Sequence, residues 1–331
     1  MSQKFPGVKL FHDPDAPVAT PQTPEPEAPV HPATASEPAP PGSGEDVVVT
    51  PPRPATKTNV PAGPIPKLSI KDLDVNYIGR QGTIIEAVKG ATIEVPDKPG
   101  VGEIIVLLGP SGCGKSTILK CIAGLLRPTK GEVKISGQHV DGVGSDRGMV
   151  FQQYTSFGWM SVRENVEYGL KLKGVAAAER KEKAMHYLKL VGLHEFSEQY
   201  PKSLSGGMKQ RVAIARTLIN KPKLVLMDEP FGALDPQTRW EMQTLLLDIS
   251  RKEDNTIVLV THDVSEAVYV GDTAYVLAKR PTRVLNRVEV PDFGTKTAAL
   301  KAAPEFRVVE KLLLDALYAE KKPTGMMPAA Q

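Results

Sequence analysis

A glycine-rich stretch in the first half of the chain has the residue types and the spacing that phosphate binding requires. The stretch LLGPSGCGKSTILK spans residues 107–120 and matches the pattern G-x-x-x-x-G-K-[ST] at Gly109, Gly114, Lys115 and Ser116. Its glycines let the backbone curl with the N–H groups pointing inward, and Lys115 adds a positive charge. The helix expected to begin near Ser116 adds the positive end of its dipole, and the Ser116 hydroxyl is placed to bind Mg²⁺. The sequence therefore predicts a site for a nucleoside triphosphate, formed by Gly109, Pro110, Ser111, Gly112, Cys113, Gly114, Lys115, Ser116 and Thr117.

Acidic and histidine side chains follow two later apolar runs, KLVLMDEP and TIVLVTHD. Such short Val/Leu/Ile runs are typical of strands buried on both faces, and ligands of open α/β sheets bind beyond the carboxyl ends of these strands. Asp228 is placed to hold Mg²⁺, and Glu229 is placed to polarise an attacking water. We expect His262 to contact the γ-phosphate. Without the phosphate loop, the alternatives would be a helix cap for the acidic pair and a structural histidine.

The elements that must position these residues alternate between strands and helices from Leu68 onward. The runs KLSIKDLDVNYI and EAVKGATIEV have a period of two, which predicts an antiparallel β-layer ahead of the phosphate loop. After the loop we expect a helix over 116–126, a strand pair around GEVKISGQHV and a long helical region over roughly 162–191. The buried strand signals predict an α/β fold with a parallel sheet covered by helices.

The N-terminal segment has a different composition from the rest of the chain. Of the 30 prolines, 17 lie in residues 1–66, among Ala, Glu, Ser and Thr. Such a segment buries too little apolar surface to offset its ordering entropy, so we predict a disordered, Pro-rich tail over 1–66. The tail has four basic and seven acidic residues, a net charge of −3, and the remainder has 37 basic and 31 acidic residues, a net charge of +6. That charge is too small to indicate nucleic-acid binding.

The cysteines and the apolar runs indicate the compartment. The two cysteines, Cys113 and Cys121, lie beside the phosphate loop and predict a reducing environment without a disulfide framework. The N-terminal residues lack the apolar core of a signal peptide, and no apolar run is long enough to cross a bilayer. We expect a cytoplasmic protein that reaches a membrane only through a partner.

A series of motifs in fixed order completes the pattern. The series consists of GPSGCGKST (Walker A), Gln152 in VFQQ (Q-loop), LSGGMKQR (signature), LVLMDEP (Walker B), GALD (D-loop) and THD (switch histidine). Over roughly residues 67–290 the chain resembles the ATP-binding cassette (ABC) ATPases. The resemblance implies an α/β P-loop NTPase fold with an antiparallel β-layer and a helical signature subdomain, and ATP and Mg²⁺ as cofactors. It leaves a short helical extension over 291–331, with one helix near 304–321.

The resemblance also implies roles for matching residues. Gln152 is expected at the Mg²⁺ ion and the γ-phosphate, and Asp235 of the D-loop is expected in the nucleotide site. Tyr77 matches the aromatic residue that stacks on adenine; the alternative is an ordinary strand tyrosine. The signature residues are implied to bind the γ-phosphate held by a second subunit, which predicts a head-to-tail homodimer closed on two ATPs; these residues are Ser205, Gly206 and Gly207.

Two finer features of the sequence resemble those of one subgroup of this family, the nitrate, sulfonate and taurine importers. The segment QQYTSFGWMSVREN resembles the LLPW region of that subgroup, and Pro281 and Arg283 match its common R-P-G-R, from which Thr282 departs. The resemblance implies uptake of a small anion, with integral-membrane permease subunits as partners and an extracytoplasmic solute-binding protein as an indirect one. It places the protein at the cytoplasmic face of the membrane. An exporter ATPase and a soluble ABC ATPase of DNA repair or translation remain as alternatives.

The aromatic residues after the Q-loop predict the surface that meets the permease. The segment YTSFGWM has three aromatic residues in six positions, and exposed aromatic clusters often mark partner sites. The alternative is that Phe157 and Trp159 pack beneath the helical subdomain.

Overall fold

The computed structural model describes residues 10–12, 64–153, 155–253, 255–294 and 296–319. In chain order its strands are β1 (Leu10–His12), β2 (Leu68–Ile78), β3 (Ile84–Val95), β4 (Glu103–Leu108), β5 (Lys130–Ile135), β6 (Gln138–His139), β7 (Arg147–Val150), β8 (Leu224–Asp228), β9 (Thr256–Thr261), β10 (Thr273–Leu277) and β11 (Val284–Glu289). Its α-helices are α1 (Lys115–Ala123), α2 (Val162–Leu172), α3 (Ala177–Leu190), α4 (Gly206–Leu218), α5 (Pro236–Glu253), α6 (Val264–Val270) and α7 (Pro304–Tyr318).

The larger sheet has the strand order β1-β11-β10-β4-β9-β8-β7. The pairs from β10 through β4, β9 and β8 to β7 are parallel, as the buried runs predict, while β11 and β1 add antiparallel strands at one edge. Every residue of β4 and β9 is buried. Alternate side chains of β4 enter two hydrophobic clusters: Ile104, Val106 and Leu108 face one, and Ile105 and Leu107 face the other. The sheet is thus covered on both faces.

The smaller sheet confirms the predicted antiparallel β-layer. Its strand order is β3-β2-β5-β6, and every pair in it is antiparallel. Apolar residues of this sheet, of α1 and of the larger sheet share one hydrophobic cluster. Helix α1 is therefore held by packing on both sheets. It ends at Ala123 rather than near 126, because Gly124 takes the left-handed conformation (φ +75°) that closes a helix.

The predicted helical region over roughly 162–191 is confirmed, and it consists of two helices, α2 and α3. Ser161 begins α2 with a capping box: its side chain accepts from the Glu164 N–H, and the Glu164 side chain accepts from the Ser161 N–H. The chain leaves α2 through Gly174, whose φ of +74° is left-handed, and α3 starts at Ala177. Helices α2, α3 and α4 pack on one another to form the signature subdomain.

The C-terminal helix is present where the sequence predicts it. Helix α7 packs against α6, β10 and β11, and it buries Phe306, Val309 and Leu313. The structure describes this helix as far as Tyr318, and the predicted end near 321 lies outside the described residues. Over the described ranges, no helix combines the length and the apolar character needed to cross a membrane.

One short strand falls within the segment predicted to be disordered. Residues Leu10–His12 form β1, which pairs antiparallel with residues 286–288 of β11. The prediction of a structureless tail is therefore wrong for these three residues. The rest of 1–63 lies outside the described residues, and for that part the tail remains a prediction.

Removing residues 1–62 should lower the melting temperature by only a few degrees, because a three-residue edge strand contributes on the order of 1 kcal/mol and a domain of this size shifts by about 2–4 °C per kcal/mol. Phe11→Pro removes one strand N–H, and it should lower the melting temperature by no more than the deletion does. Differential scanning calorimetry measures both. A fall of more than about 10 °C would show that the segment belongs to the folded core.

Candidate active site

The phosphate loop lies between β4 and α1, in the strand–loop–helix context that the motif requires. The loop needs left-handed backbone at Gly112 (φ +71°) and at Gly114 (φ +118°), which glycine adopts at little cost. Helix α1 starts directly at Lys115, so its unpaired N–H groups and its positive dipole end lie at the loop. A concave run of N–H groups beside a helix N-terminus is an anion site.

Lys115 is the first residue of α1 and is only 3% exposed. Its Nζ donates to the carbonyl oxygens of Gly109, at 2.8 Å, and Pro110, at 2.9 Å. The Oε1 atom of Glu229 lies 3.8 Å from the same nitrogen. The ammonium group is thus held at the mouth of the loop by its own backbone and by the acidic residue after β8.

Ser116 and Asp228 form a pair of oxygen donors next to the loop. The Ser116 Oγ donates to the Asp228 Oδ1 at 2.8 Å. Burial raises the pKa of Asp228, the hydrogen bond from Ser116 lowers it, and the neighbouring charge of Glu229 raises it further. A carboxylate whose charge is poorly solvated is stabilised by a nearby cation.

Glu229 and His262 meet at the ends of β8 and β9. These strands are parallel neighbours, so their carboxyl ends lie at one edge of the sheet. The Glu229 Oε2 lies 3.4 Å from the His262 Nδ1, and the His262 side chain is half-exposed. Glu229 has a φ of +43°, and its N–H donates to the Val260 carbonyl at 3.1 Å. A left-handed non-glycine residue is costly unless its surroundings hold it, and such residues concentrate at functional sites.

Two residues beside Glu229 have no counterpart among the sequence predictions. A cavity of about 60 Å³ borders Glu229, His262, Arg239 and Glu266. Glu266 is buried; it accepts from the Thr261 Oγ1 at 2.6 Å and lies 3.7 Å from the Arg239 Nε. Burial raises the pKa of Glu266. Arg239 lies in α5 and Glu266 lies in α6. Charged residues are common in helices, so the sequence alone does not mark these two as part of the site.

Arg239 also reaches the D-loop, because its Nη2 donates to the Leu234 carbonyl at 3.1 Å. Leu234 directly precedes Asp235, whose Oδ1 accepts from the Thr238 N–H at 3.1 Å and caps α5. Hydrogen bonding from the Thr238 side chain, and then from the Thr238 N–H, lowers the pKa of Asp235. The side chains of Arg239 and Glu266 therefore join the D-loop to the switch segment around His262.

The signature residues lie at the start of α4. Ser205 caps this helix by accepting from the Met208 N–H at 3.3 Å. A Cβ on Gly207 would collide with the Thr238 methyl group, so the signature is packed directly against the start of α5. Within the described residues, no hydrogen bond or ion pair joins Ser205, Gly206 or Gly207 to the phosphate loop of the same chain.

The remaining predicted residues lie at the borders of the site. Gln152 is exposed, two residues beyond the end of β7. Tyr77 is half-buried near the end of β2, and its hydroxyl lies 3.2 Å from the Thr117 Oγ1 in the first turn of α1. The structure thus brings Tyr77 to the phosphate loop.

The chain is similar to proteins of one family. The ABC transporter family profile matches residues 99–232. The nitrate import ATP-binding protein NrtD of Synechocystis sp. is 47% identical over 72% of this chain and 90% of its own length. The taurine import ATP-binding protein TauB of Roseobacter denitrificans is 41% identical over 76% of this chain and 94% of its own length.

Comparison with a solved structure indicates the same family. The dimeric, post-hydrolysis ATP-binding cassette MJ0796, bound to ADP and Pi, superimposes with a TM-score of 0.60 at 34% identity and covers 68% of this chain and 100% of its own. The family match, the identities and the shared fold agree with one another. The chain belongs to the ABC transporter family and is an ATP-binding and ATP-hydrolysing member of it.

Proposed function

We propose that the protein is the ATPase subunit of an ABC import complex that takes up a small anion of the nitrate, sulfonate or taurine kind through a separate permease. The observation that carries the proposal is the 41–47% identity, over most of the chain, to relatives named as nitrate and taurine import proteins. These names favour import over an exporter and over a soluble ABC ATPase.

The phosphates of ATP are assigned to the loop 109–117, with Lys115 at the β- and γ-phosphates. Tyr77 is assigned to stacking on adenine, and the 3.2 Å contact of its hydroxyl with the Thr117 Oγ1 supports a place beside the phosphate loop. Glu229 is the general base that polarises the attacking water, and His262 contacts the γ-phosphate from the neighbouring strand. The 3.4 Å contact between these two side chains supports a joint role.

Mg²⁺ fits the donors that the chain offers. The Ser116 Oγ and the Asp228 Oδ1 are adjacent oxygen atoms, and Mg²⁺ prefers oxygen ligands together with phosphate oxygens. We assign the ion to these two residues, with Gln152 completing the set. When bound, the ion neutralises charge that develops on the phosphates.

A second copy of the chain supplies the signature residues. The N-terminus of α4 presents Ser205, Gly206 and Gly207 as an anion site, and this site makes no hydrogen bond or ion pair to its own phosphate loop within the described part of the chain. In a head-to-tail homodimer, each α4 would face the γ-phosphate bound by the other subunit. Asp235 is assigned to the same interface.

The permease is assigned to a groove beside the Q-loop. This groove has a volume of about 600 Å³ and is lined by Phe151, Phe157, Tyr168, Leu172 and Arg216, among others. Phe157 is half-buried: its ring lies 4.9 Å from the Tyr168 ring, and the Arg216 guanidinium lies 5.3 Å from its centroid. Trp159, in contrast, is 75% exposed. This supports a docking role for Trp159, whereas Phe157 also packs within the subdomain.

Asn165 fixes the shape of this surface. It is fully buried; its Oδ1 accepts from the Phe157 N–H at 2.7 Å, and its Nδ2 lies 3.0–3.1 Å from the carbonyls of Phe157, Met160 and Ser161. The segment that carries Trp159 is therefore anchored to α2. On this proposal the protein acts at the cytoplasmic face of the membrane and meets the solute-binding protein only through the permease.

Isolation of the native complex tests the proposal as a whole. The full chain, purified from native membranes in mild detergent, should bring with it an integral-membrane permease. Recovery with ribosomes or DNA-repair proteins instead would contradict the importer assignment.

Glu229→Gln should retain ATP binding and lose hydrolysis by about a hundredfold or more, because it removes the base and keeps the shape. The ATP-bound dimer should then accumulate in size-exclusion chromatography. Lys115→Ala should instead weaken ATP binding itself, and Glu195→Gln on the exposed surface should change neither. Hydrolysis by Glu229→Gln at the wild-type rate would show that another group is the base.

Trp159→Ala should leave the melting temperature and ATP binding of the isolated subunit unchanged and should weaken assembly with the permease by about 2 kcal/mol, roughly thirtyfold, if Trp159 anchors the contact. Trp240→Ala, on α5 outside the groove, is the matched control and should assemble normally. The two quantities to compare are the melting temperature and the permease pull-down. If Trp159→Ala melts far earlier but still assembles when folded, Trp159 is a core residue.

A further inference from the structure

The connection between β10 and β11 reaches the phosphate loop from the side of the antiparallel sheet. Its residue Thr282 is fully buried. The Thr282 N–H donates to the Ala87 carbonyl at 2.9 Å, and the Lys89 N–H donates to the Thr282 carbonyl at 2.9 Å. Thr282 is thus tied to β3 on both sides of Val88, with which it forms a parallel bridge. Its backbone position is fixed by a strand of the smaller sheet.

The Thr282 side chain contacts the phosphate loop itself. Its Oγ1 donates to the Cys113 carbonyl. A Cβ on Gly114 would collide with the Thr282 Oγ1 and would lie 3.0 Å from the Ala87 carbonyl oxygen. The Gly112 carbonyl, directly before Cys113 in the loop, accepts from the Arg280 Nη2 at 3.4 Å. The loop therefore lies directly against this connection, with Gly114 at the closest approach.

The bond to Cys113 orients the next N–H of the loop. A trans peptide group is planar, and its C=O and N–H point in opposite directions. Because Thr282 holds the Cys113 carbonyl on its own side, the Gly114 N–H of the same peptide group points away from Thr282. Gly114 is the last residue before α1, so this N–H belongs to the run of donors at the helix N-terminus.

We propose that Thr282 is a positioning residue for phosphate binding: its hydroxyl holds the 113–114 peptide group in the orientation that an ATP phosphate requires. The observations that carry the proposal are the buried position of Thr282, its hydroxyl bond to the Cys113 carbonyl and the close approach of Gly114. The proposal concerns ATP binding and does not depend on the solute or the permease.

Binding of trinitrophenyl-labelled nucleotides to the full-length chain tests the proposal. Thr282→Val keeps the shape and removes the donor, so affinity for the labelled ATP and ADP should fall about fivefold to tenfold, the effect of one lost hydrogen bond. Labelled AMP, which lacks a β-phosphate, should change less than about twofold. In hydrolysis, KM for ATP should rise while kcat changes little.

Two variants separate positioning from packing. Thr282→Ser keeps the hydroxyl and should bind all three nucleotides as the wild type does. Thr273→Val changes another buried threonine, at the far end of β10, and should also leave the affinities unchanged. Thr282→Gly removes the donor without adding apolar surface; it should reproduce the loss for ATP and ADP, and it serves as the test if Thr282→Val does not fold.

Amide hydrogen exchange gives a second readout. Residues 112–116 should exchange faster in Thr282→Val or Thr282→Gly than in the wild type and in Thr282→Ser. Wild-type affinity in both donor-less variants would overturn the proposal. An equal loss in Thr282→Ser or in Thr273→Val, or an equal loss for labelled AMP, would show that Thr282 only fills the core.

Discussion

The buried ammonium group of Lys115 is the feature on which the rest of the active site depends. A positive charge that is 3% exposed requires close oxygen partners, because burial of an unpaired charge is very costly. The partners are two carbonyls of its own loop and the carboxylate of Glu229. This arrangement requires the loop to curl through Gly112 and Gly114, and it requires β8 to end close to β4. The same geometry brings the loop N–H groups and the carboxylates around one point.

The order of strands in the larger sheet explains why these groups converge. Strand β4 carries the phosphate loop and pairs with β9, which leads to His262; β9 pairs with β8, which leads to Asp228 and Glu229. Because the three strands are parallel, residues far apart in sequence are delivered to one edge. Arg239 and Glu266 then connect this edge to the D-loop through the Leu234 carbonyl. These contacts join the residues after β9 to the D-loop, which we assign to the interface with the second subunit.

Much of the site follows from local sequence rules. The phosphate loop, the strands before Asp228 and His262, and the antiparallel layer are each specified by short runs with strong periodicity or glycine spacing. The predicted helical region over roughly 162–191 is confirmed, but the prediction does not include the turn at Gly174 that divides it into α2 and α3, because the apolar pattern continues on both sides of this glycine. The contacts of Thr282 were not predicted because they join segments more than a hundred residues apart in sequence. The Arg239–Glu266 pair was not predicted because both side chains lie inside ordinary helices. Strand β1 lies in a segment whose composition gives no strand signal.

The most direct test of this account is a structure of the full-length chain with Mg²⁺ and a non-hydrolysable ATP analogue. The account predicts a head-to-tail dimer in which the loop N–H groups and Lys115 hold the phosphates, Ser116 and Asp228 hold the ion, and Ser205 of the second copy contacts the γ-phosphate. Phosphates bound away from the loop, or a dimer in which Ser205 faces solvent, would contradict it.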